Sequence, residues 1–148
     1  MLKVLLDTTF ILPSLGIDVG EEVLEGLSKL AQIKVNIYFS RFSILETLWI
    51  AARLSKSPNF NPEIFKLGLR SILEGKRYMK VEESSEIFDE ALRLYMLGHK
   101  DMIDNILYAT STNLNLKLLT LDKELKEFIH EKGLMDTLIH PSQIPNQL

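Results

Sequence analysis

Cysteine is absent from the 148 residues, which removes disulfides, thiol nucleophiles and thiolate zinc or iron–sulfur centres from consideration. That absence fits a reducing compartment. An excess of either charge is missing too: 17 Lys and Arg stand against 20 Asp and Glu, a formal net charge of -3. Such a balance argues against tight nonspecific attachment to nucleic acid through a basic surface, but not against nucleic acid held partly through metal ions. No apolar run reaches the ~20 residues of a membrane span. The longest, residues 39–54, contains Arg41, Glu46 and Arg53, and the N-terminal run meets Asp7 too early for the apolar region of an export signal. Also lacking are a glycine-rich phosphate loop, a Gly-x-Ser-x-Gly elbow, internal repeats, low-complexity tracts and any linker long enough to divide the chain into separate domains. What is left is the expectation of a soluble cytoplasmic chain, one domain over residues 1–148, with 46% hydrophobic residues to build a core.

Apolar periodicity supplies the elements. Residues 2–6 read as a short buried strand ended by the turn-prone Asp7-Thr8-Thr9, and residues 35–39 as a second. Residues 20–32 carry apolar side chains at helical spacing, with acids early and Lys29 late, as the helix dipole favours. Ser40 is placed to cap a helix over residues 41–55, Pro62 to open another as far as Glu74, and Gly98 to stop one that starts at Ser84 or Ser85. Residues 78–81 are a short strand or extended link. A helix over 101–113, a strand over 117–121, a helix over 123–132 and a short strand over 137–139 complete the pattern, with an irregular tail over 141–148. Strands alternating with helices imply an α/β fold with a mostly parallel sheet. The helix-rich stretch between residues 39 and 117 must cover one face of that sheet or form an arm.

Four acids stand where an acid is costly. Asp7 ends one apolar run and Asp122 follows another; Glu46 and Asp104 interrupt apolar helical segments. Carboxylates beside apolar surface lose hydration, so they are normally paired, protonated or bound to a cation. In parallel sheets ligands gather beyond the carboxyl ends of the strands. Asp7 and Asp122 each follow a strand and Asp104 opens a helix, so one pocket can collect all four. Clustered carboxylates suit Mg²⁺ or Mn²⁺, ions that support phosphodiester hydrolysis. Structural explanations exist for each acid singly. Asp7 could start a turn, Glu46 could pair with Arg53, and Asp122 could cap the helix that follows. Asp101 and Asp104 have the spacing of an N-cap and its partner.

The ordered set of segments resembles the PIN-domain ribonucleases. Leu5-Leu6-Asp7-Thr8-Thr9-Phe10-Ile11-Leu12 is similar to their opening segment, and Ser43-Ile44-Leu45-Glu46-Thr47-Leu48 to their first helical acid motif. Asp104-Asn105-Ile106-Leu107-Tyr108-Ala109-Thr110-Ser111 resembles their second acidic helix, although Asn105 stands where a small residue is usual. Leu118-Leu119-Thr120-Leu121-Asp122-Lys123-Glu124-Leu125 resembles the Thr-x-Asp segment after the fourth strand, with Leu125 where an aromatic is often seen. The resemblance spans nearly the whole chain. It implies a three-layer α/β/α sandwich in which Asp7, Glu46, Asp104 and Asp122 hold Mg²⁺ or Mn²⁺, with Asp101 as an alternative or additional ligand. Thr8 and Thr120 would orient the carboxylates by hydrogen bonds. It further implies RNA hydrolysis to a 5′-phosphate and a 3′-hydroxyl, homodimers in many members, and, for small members, the toxin role of VapC-type toxin–antitoxin pairs with an antitoxin partner. A non-catalytic PIN-like binding module and an RNA-processing nuclease outside such pairs are the alternatives.

Other metal-dependent folds fit less well. A receiver-like domain needs paired acids after the first strand and an acceptor after the middle one; Asp18 is too distant and Phe39-Ser40 offers no carboxylate. A haloacid-dehalogenase-type phosphatase needs Asp-x-Asp, which Asp7-Thr8-Thr9 lacks. His99, His130 and His140 lack metal-ligand spacing, and His99 beside Gly98 reads as a loop or cap residue. Trp49, Phe88 and Tyr95 read as core or dimer contacts, and Arg41, Lys100 and Lys123 as cations flanking the pocket.

Overall fold

The computed structural model describes residues 1–146. Its strands are β1 (Leu2–Leu6), β2 (Val35–Phe39), β3 (Tyr78–Lys80), β4 (Lys117–Leu119) and β5 (Leu138–Ile139), joined in one sheet in the order β3-β2-β1-β4-β5. Val4 pairs with Ile37 on one side and Lys117 on the other, and every pairing in the sheet is parallel. Parallel strands need crossovers, which the helices α1 (Glu21–Ala31), α2 (Arg41–Leu54), α3 (Pro62–Glu74), α4 (Ser85–Met96), α5 (Met102–Leu114) and α6 (Lys123–Glu131) supply. Ser40, Asn61, Ser84, Asp101 and Asp122 cap five of these helices with side-chain oxygens.

Side chains alternate across the sheet, as a strand's period of two demands. Val4, Leu6, Ile37, Phe39 and Leu119 join Val23 and Leu30 of α1 and Ile72 of α3 in one core. Leu5, Leu118 and Tyr38 face the opposite way, toward Leu94 of α4, Leu107 and Tyr108 of α5, and Leu125 and Ile129 of α6. The result is the three-layer α/β/α sandwich. The helix-rich middle of the chain forms no arm: α3 packs on one face of the sheet and α4 runs along α5 on the other, with Ile87 and Ala91 against Ile106 and Ala109.

Several boundaries differ from the sequence expectation. β4 ends at Leu119 rather than residue 121, because the Thr120 hydroxyl accepts from the Asp122 N–H and turns the chain into α6. Two 3₁₀ turns, Thr8–Phe10 and Leu12–Leu15, follow β1 where no element was expected. Asp7 caps the first; Pro13 opens the second and Gly16, at φ 78°, closes it. They bury Phe10, Ile11 and Leu15 fully. The tail is not irregular throughout: Pro141–Gln143 form a 3₁₀ turn capped by His140, with Pro141 packed near Gly26 of α1. Residues 147–148 of that expected tail lie outside the described residues.

Candidate metal centre

Strand order reverses at the β1–β4 pair, since β2 and β3 extend to one side and β5 to the other. The carboxyl ends of β1 and β4 therefore frame a crevice. Asp7 stands at its centre. Its N–H donates to Leu119 O at 3.1 Å, which ties the end of β1 to β4. Asp7 Oδ1 accepts from the Thr8 N–H at 2.6 Å, and Oδ2 accepts from the Thr120 hydroxyl at 2.7 Å. Thr120 orients this carboxylate through its side chain, as expected. Thr8 does so only through its backbone, and its own hydroxyl is buried without a partner among the described residues.

An open cleft of about 400 Å³ at this edge is lined by Asp7, Thr9, Glu46, Asp101, Asp104, Leu121 and Asp122. All five acids singled out in the sequence thus meet in one place. Glu46 reaches it from the second turn of α2, and Asp104 from the first turn of α5. Asp122 is the N-cap of α6, with Oδ1 accepting from the Leu125 N–H at 3.1 Å. Asp101 is the N-cap of α5 and accepts from the Asp104 N–H at 3.1 Å. The capping explanations for Asp101 and Asp122 are therefore correct, and each capped residue still lines the cleft. The N-terminal ends of α5 and α6 converge here, and their partial positive charge partly offsets the acids.

That compensation is incomplete. Burial pushes the Asp7 carboxyl up to about 6; hydrogen bonds from Thr120 and Thr8 oppose the shift, and Glu46 and Asp122 add to it. Asp104 is raised further, by burial first, then by a hydrogen bond with the Asp122 carboxyl group and repulsion from Asp7, Asp101 and Asp122. Half-buried acids crowded together beside open solvent, with Asp7 and Asp104 pushed toward their protonated forms, are a donor set suited to a hard divalent cation, which would offset the repulsion.

Three features escaped the sequence reading. His99 is a loop residue as expected, yet it is buried, and one of its ring nitrogens and an oxygen each from Asp104 and Asp122 lie within 4.8 Å of one another. Sequence spacing carried no signal of this. A second groove of about 500 Å³ adjoins the cleft through Leu121 and Asp122 and is lined by Thr120, Lys123, Lys126 and His140. Lys123 thus lies where a flanking cation was expected. Arg41 instead pairs with Glu83 at 3.5 Å, and Lys100 lies over the Tyr95 ring at 4.3 Å. Trp49 is 53% exposed and no core residue; Phe88 and Tyr95 are also partly exposed.

Comparison with known proteins places this geometry. The PIN domain family model matches residues 4–130. The chain belongs to the PIN domain family. Proteins of this family are generally nucleases that use divalent metal ions. The PIN fold is shared with a toxin–antitoxin complex from Klebsiella pneumoniae, at 14% identity and a TM-score of 0.60, over 93% of this chain and 97% of that one. It is shared with VapBC2 from Rickettsia felis, whose structure holds a DNA fragment from its promoter, at 14% identity and a TM-score of 0.64, over 94% and 98%. FitAcB from Neisseria gonorrhoeae matches at 18% identity and a TM-score of 0.57, over 94% and 98%. Among curated proteins, none matches.

Proposed function

We propose that this PIN-domain protein is an Mg²⁺- or Mn²⁺-dependent ribonuclease, one domain over residues 1–148, and the toxin of a toxin–antitoxin pair. The observation that carries the reading is the convergence of Asp7, Glu46, Asp104 and Asp122, with Asp101 at the rim, on one cleft at the strand-order switch. Asp7, Glu46, Asp104 and Asp122 would hold the cation, which supplies charge to a phosphate oxygen and acidifies the attacking water. Water adds to phosphorus and the P–O3′ bond breaks, leaving a 5′-phosphate and a 3′-hydroxyl. Thr120 and the Thr8 N–H keep both Asp7 oxygens in a fixed plane, so that carboxylate enters the reaction already oriented. Asp104 must give up its proton before it can serve as a ligand, which raised pH and a divalent cation both promote. Lys123 and Lys126 in the adjoining groove suit phosphates that flank the scissile one.

The toxin role is supported by the fold shared with toxin–antitoxin proteins, and a cytoplasmic location goes with it. Exposed apolar side chains on α2 (Leu45, Leu48, Trp49) and α4 (Leu92, Met96) support protein partners, a second copy or an antitoxin. No helix among the described residues is long and apolar enough to cross a membrane.

The decisive experiment is cleavage of RNA with Mn²⁺ by the wild type, Asp7→Asn and Asp104→Asn, with chelator as control. Wild-type cleavage that both substitutions reduce by more than about 100-fold is expected, since ligand loss should exceed the 10–100-fold typical of outer partners. Undiminished cleavage by both folded variants overturns the site.

A further inference from the structure

His99 occupies the tight loop between α4 and α5, after Gly98 at φ 123°. Its side chain is buried, with 9% exposure. Asn105, fully buried in the first turn of α5, grips it twice. Asn105 Nδ2 donates to the His99 carbonyl at 2.8 Å, which fixes the amide orientation. Asn105 Oδ1 therefore faces His99 Nδ1 at 2.8 Å and can only accept. Nδ1 must then carry a proton, which in the neutral ring leaves the lone pair on Nε2. Phe128 of α6 packs against the ring at 5.2 Å and limits its rotation.

This is how histidines that bind metals are held: one nitrogen donates to an oxygen and the other is presented as a ligand. The second nitrogen makes no hydrogen bond among the described residues. The ring lies beside Asp104 and Asp122, with one candidate ligand atom from each of the three inside a 4.8 Å span. Atoms bound tetrahedrally to one cation at ~2.0–2.2 Å stand about 3.3–3.6 Å apart, so the three groups must draw together by up to about 1.5 Å when the ion binds.

We propose that His99, Asp104 and Asp122 form a nitrogen-and-oxygen ligand set for a divalent transition ion. An imidazole ligand favours Zn²⁺ or Co²⁺ over Mg²⁺, whereas carboxylates alone favour the harder ions. The centre of this protein would therefore discriminate among cations in a way that an all-carboxylate cleft would not. The proposal rests on the reading of Asp104 and Asp122 as ligands, and adds a ligand which that reading lacks.

The test uses the full chain labelled with ¹⁵N-histidine. There are three histidines, and His130→Gln and His140→Gln assign the His99 signals by elimination. Zn²⁺ at saturation is expected to shift the His99 Nε2 resonance strongly while leaving Nδ1 protonated. By calorimetry, His99→Gln is expected to lose about 10–100-fold or more in Zn²⁺ affinity while Mg²⁺ affinity changes far less. The spectroscopic measurement needs no substitution at His99, so it decides even if His99→Gln fails to fold. An unmoved Nε2 resonance at saturating Zn²⁺ overturns the proposal, as does a Zn²⁺-to-Mg²⁺ affinity ratio in folded His99→Gln equal to that of wild type. RNA cleavage abolished by Asp104→Asn, together with an unmoved His99 resonance, removes this ligand and leaves the nuclease reading standing. A shifted His99 resonance in a protein that cleaves no RNA supports the ligand set and removes the nuclease reading.

Discussion

Thr120 Oγ1 donates a 2.7 Å hydrogen bond to Asp7 Oδ2 across 113 residues of sequence, and accepts one from the Asp122 N–H at 3.1 Å. One hydroxyl thus fixes an acid at the end of β1 and the chain direction at the end of β4. It also lowers the Asp7 pKa against the upward pull of burial. Thr120→Val keeps the shape and removes the hydroxyl, so the Asp7 pKa should rise beyond about 6. Mn²⁺ affinity by calorimetry is expected to fall about 10–100-fold near pH 6.5 and less at pH 8, where Asp7 is ionised anyway. An equal loss at both pH values would show that the hydroxyl does not act through Asp7 ionisation.

The same carboxyl should govern stability in the metal-free protein. Its folded pKa of about 6 exceeds the ordinary 3.8, so the folded state holds more protons between about pH 4 and 6. Stability therefore falls as pH rises through that window, by at most about 3 kcal/mol from Asp7, and the loss persists above it. Asp7→Asn removes this penalty but offers one oxygen where the Thr8 N–H and Thr120 hydroxyl now find two. A net gain of about 1–2 kcal/mol over wild type is expected at pH 7.5 with chelator, and none below pH 4, by urea denaturation. Mn²⁺ should stabilise wild type and leave the variant unchanged. A variant less stable than wild type at pH 7.5 would count against the desolvation account.

Asn105 is fully buried and bonds both the carbonyl and the ring of His99. Asn105→Ala strands two buried polar groups, and a loss of about 1–3 kcal/mol in denaturant unfolding is expected. A change within about 0.5 kcal/mol would mean that water replaces the amide.

Gly68 lies inside α3, where alanine would ordinarily add up to ~1 kcal/mol of helix propensity. Here a Cβ would meet the Ser14 carbonyl oxygen at 2.0 Å and Leu15 Cα at 3.1 Å, backbone atoms of the 3₁₀ turn after β1. No rotamer relieves a clash with backbone, so overpacking of about 1–3 kcal/mol should outweigh the propensity gain. Gly68→Ala is expected to lower the Tm by several degrees in a thermal scan, and an unchanged or higher Tm would show that α3 can shift outward.

Much of the fold was legible because its signals are local. Val and Leu alternate across the strands, and Ser40, Asn61, Ser84, Asp101 and Asp122 occupy cap positions that their own side chains satisfy. The 3₁₀ turns were missed although Pro13 and Gly16 bracket the second, because its buried residues follow neither helical nor strand period. The Arg41–Glu83 pair was not legible because its members stand 42 residues apart.

By itself the sequence determined the element types, their order and which acids sit at strand ends or helix starts, since periodicity and capping depend on near neighbours. Only the tertiary structure decided that Asp7, Glu46, Asp101, Asp104 and Asp122 share one cleft, because that depends on β1 lying beside β4. It also decided that His99 and Thr120 face those acids. Loop geometry and strand order fix both contacts, and neither is written in residue spacing.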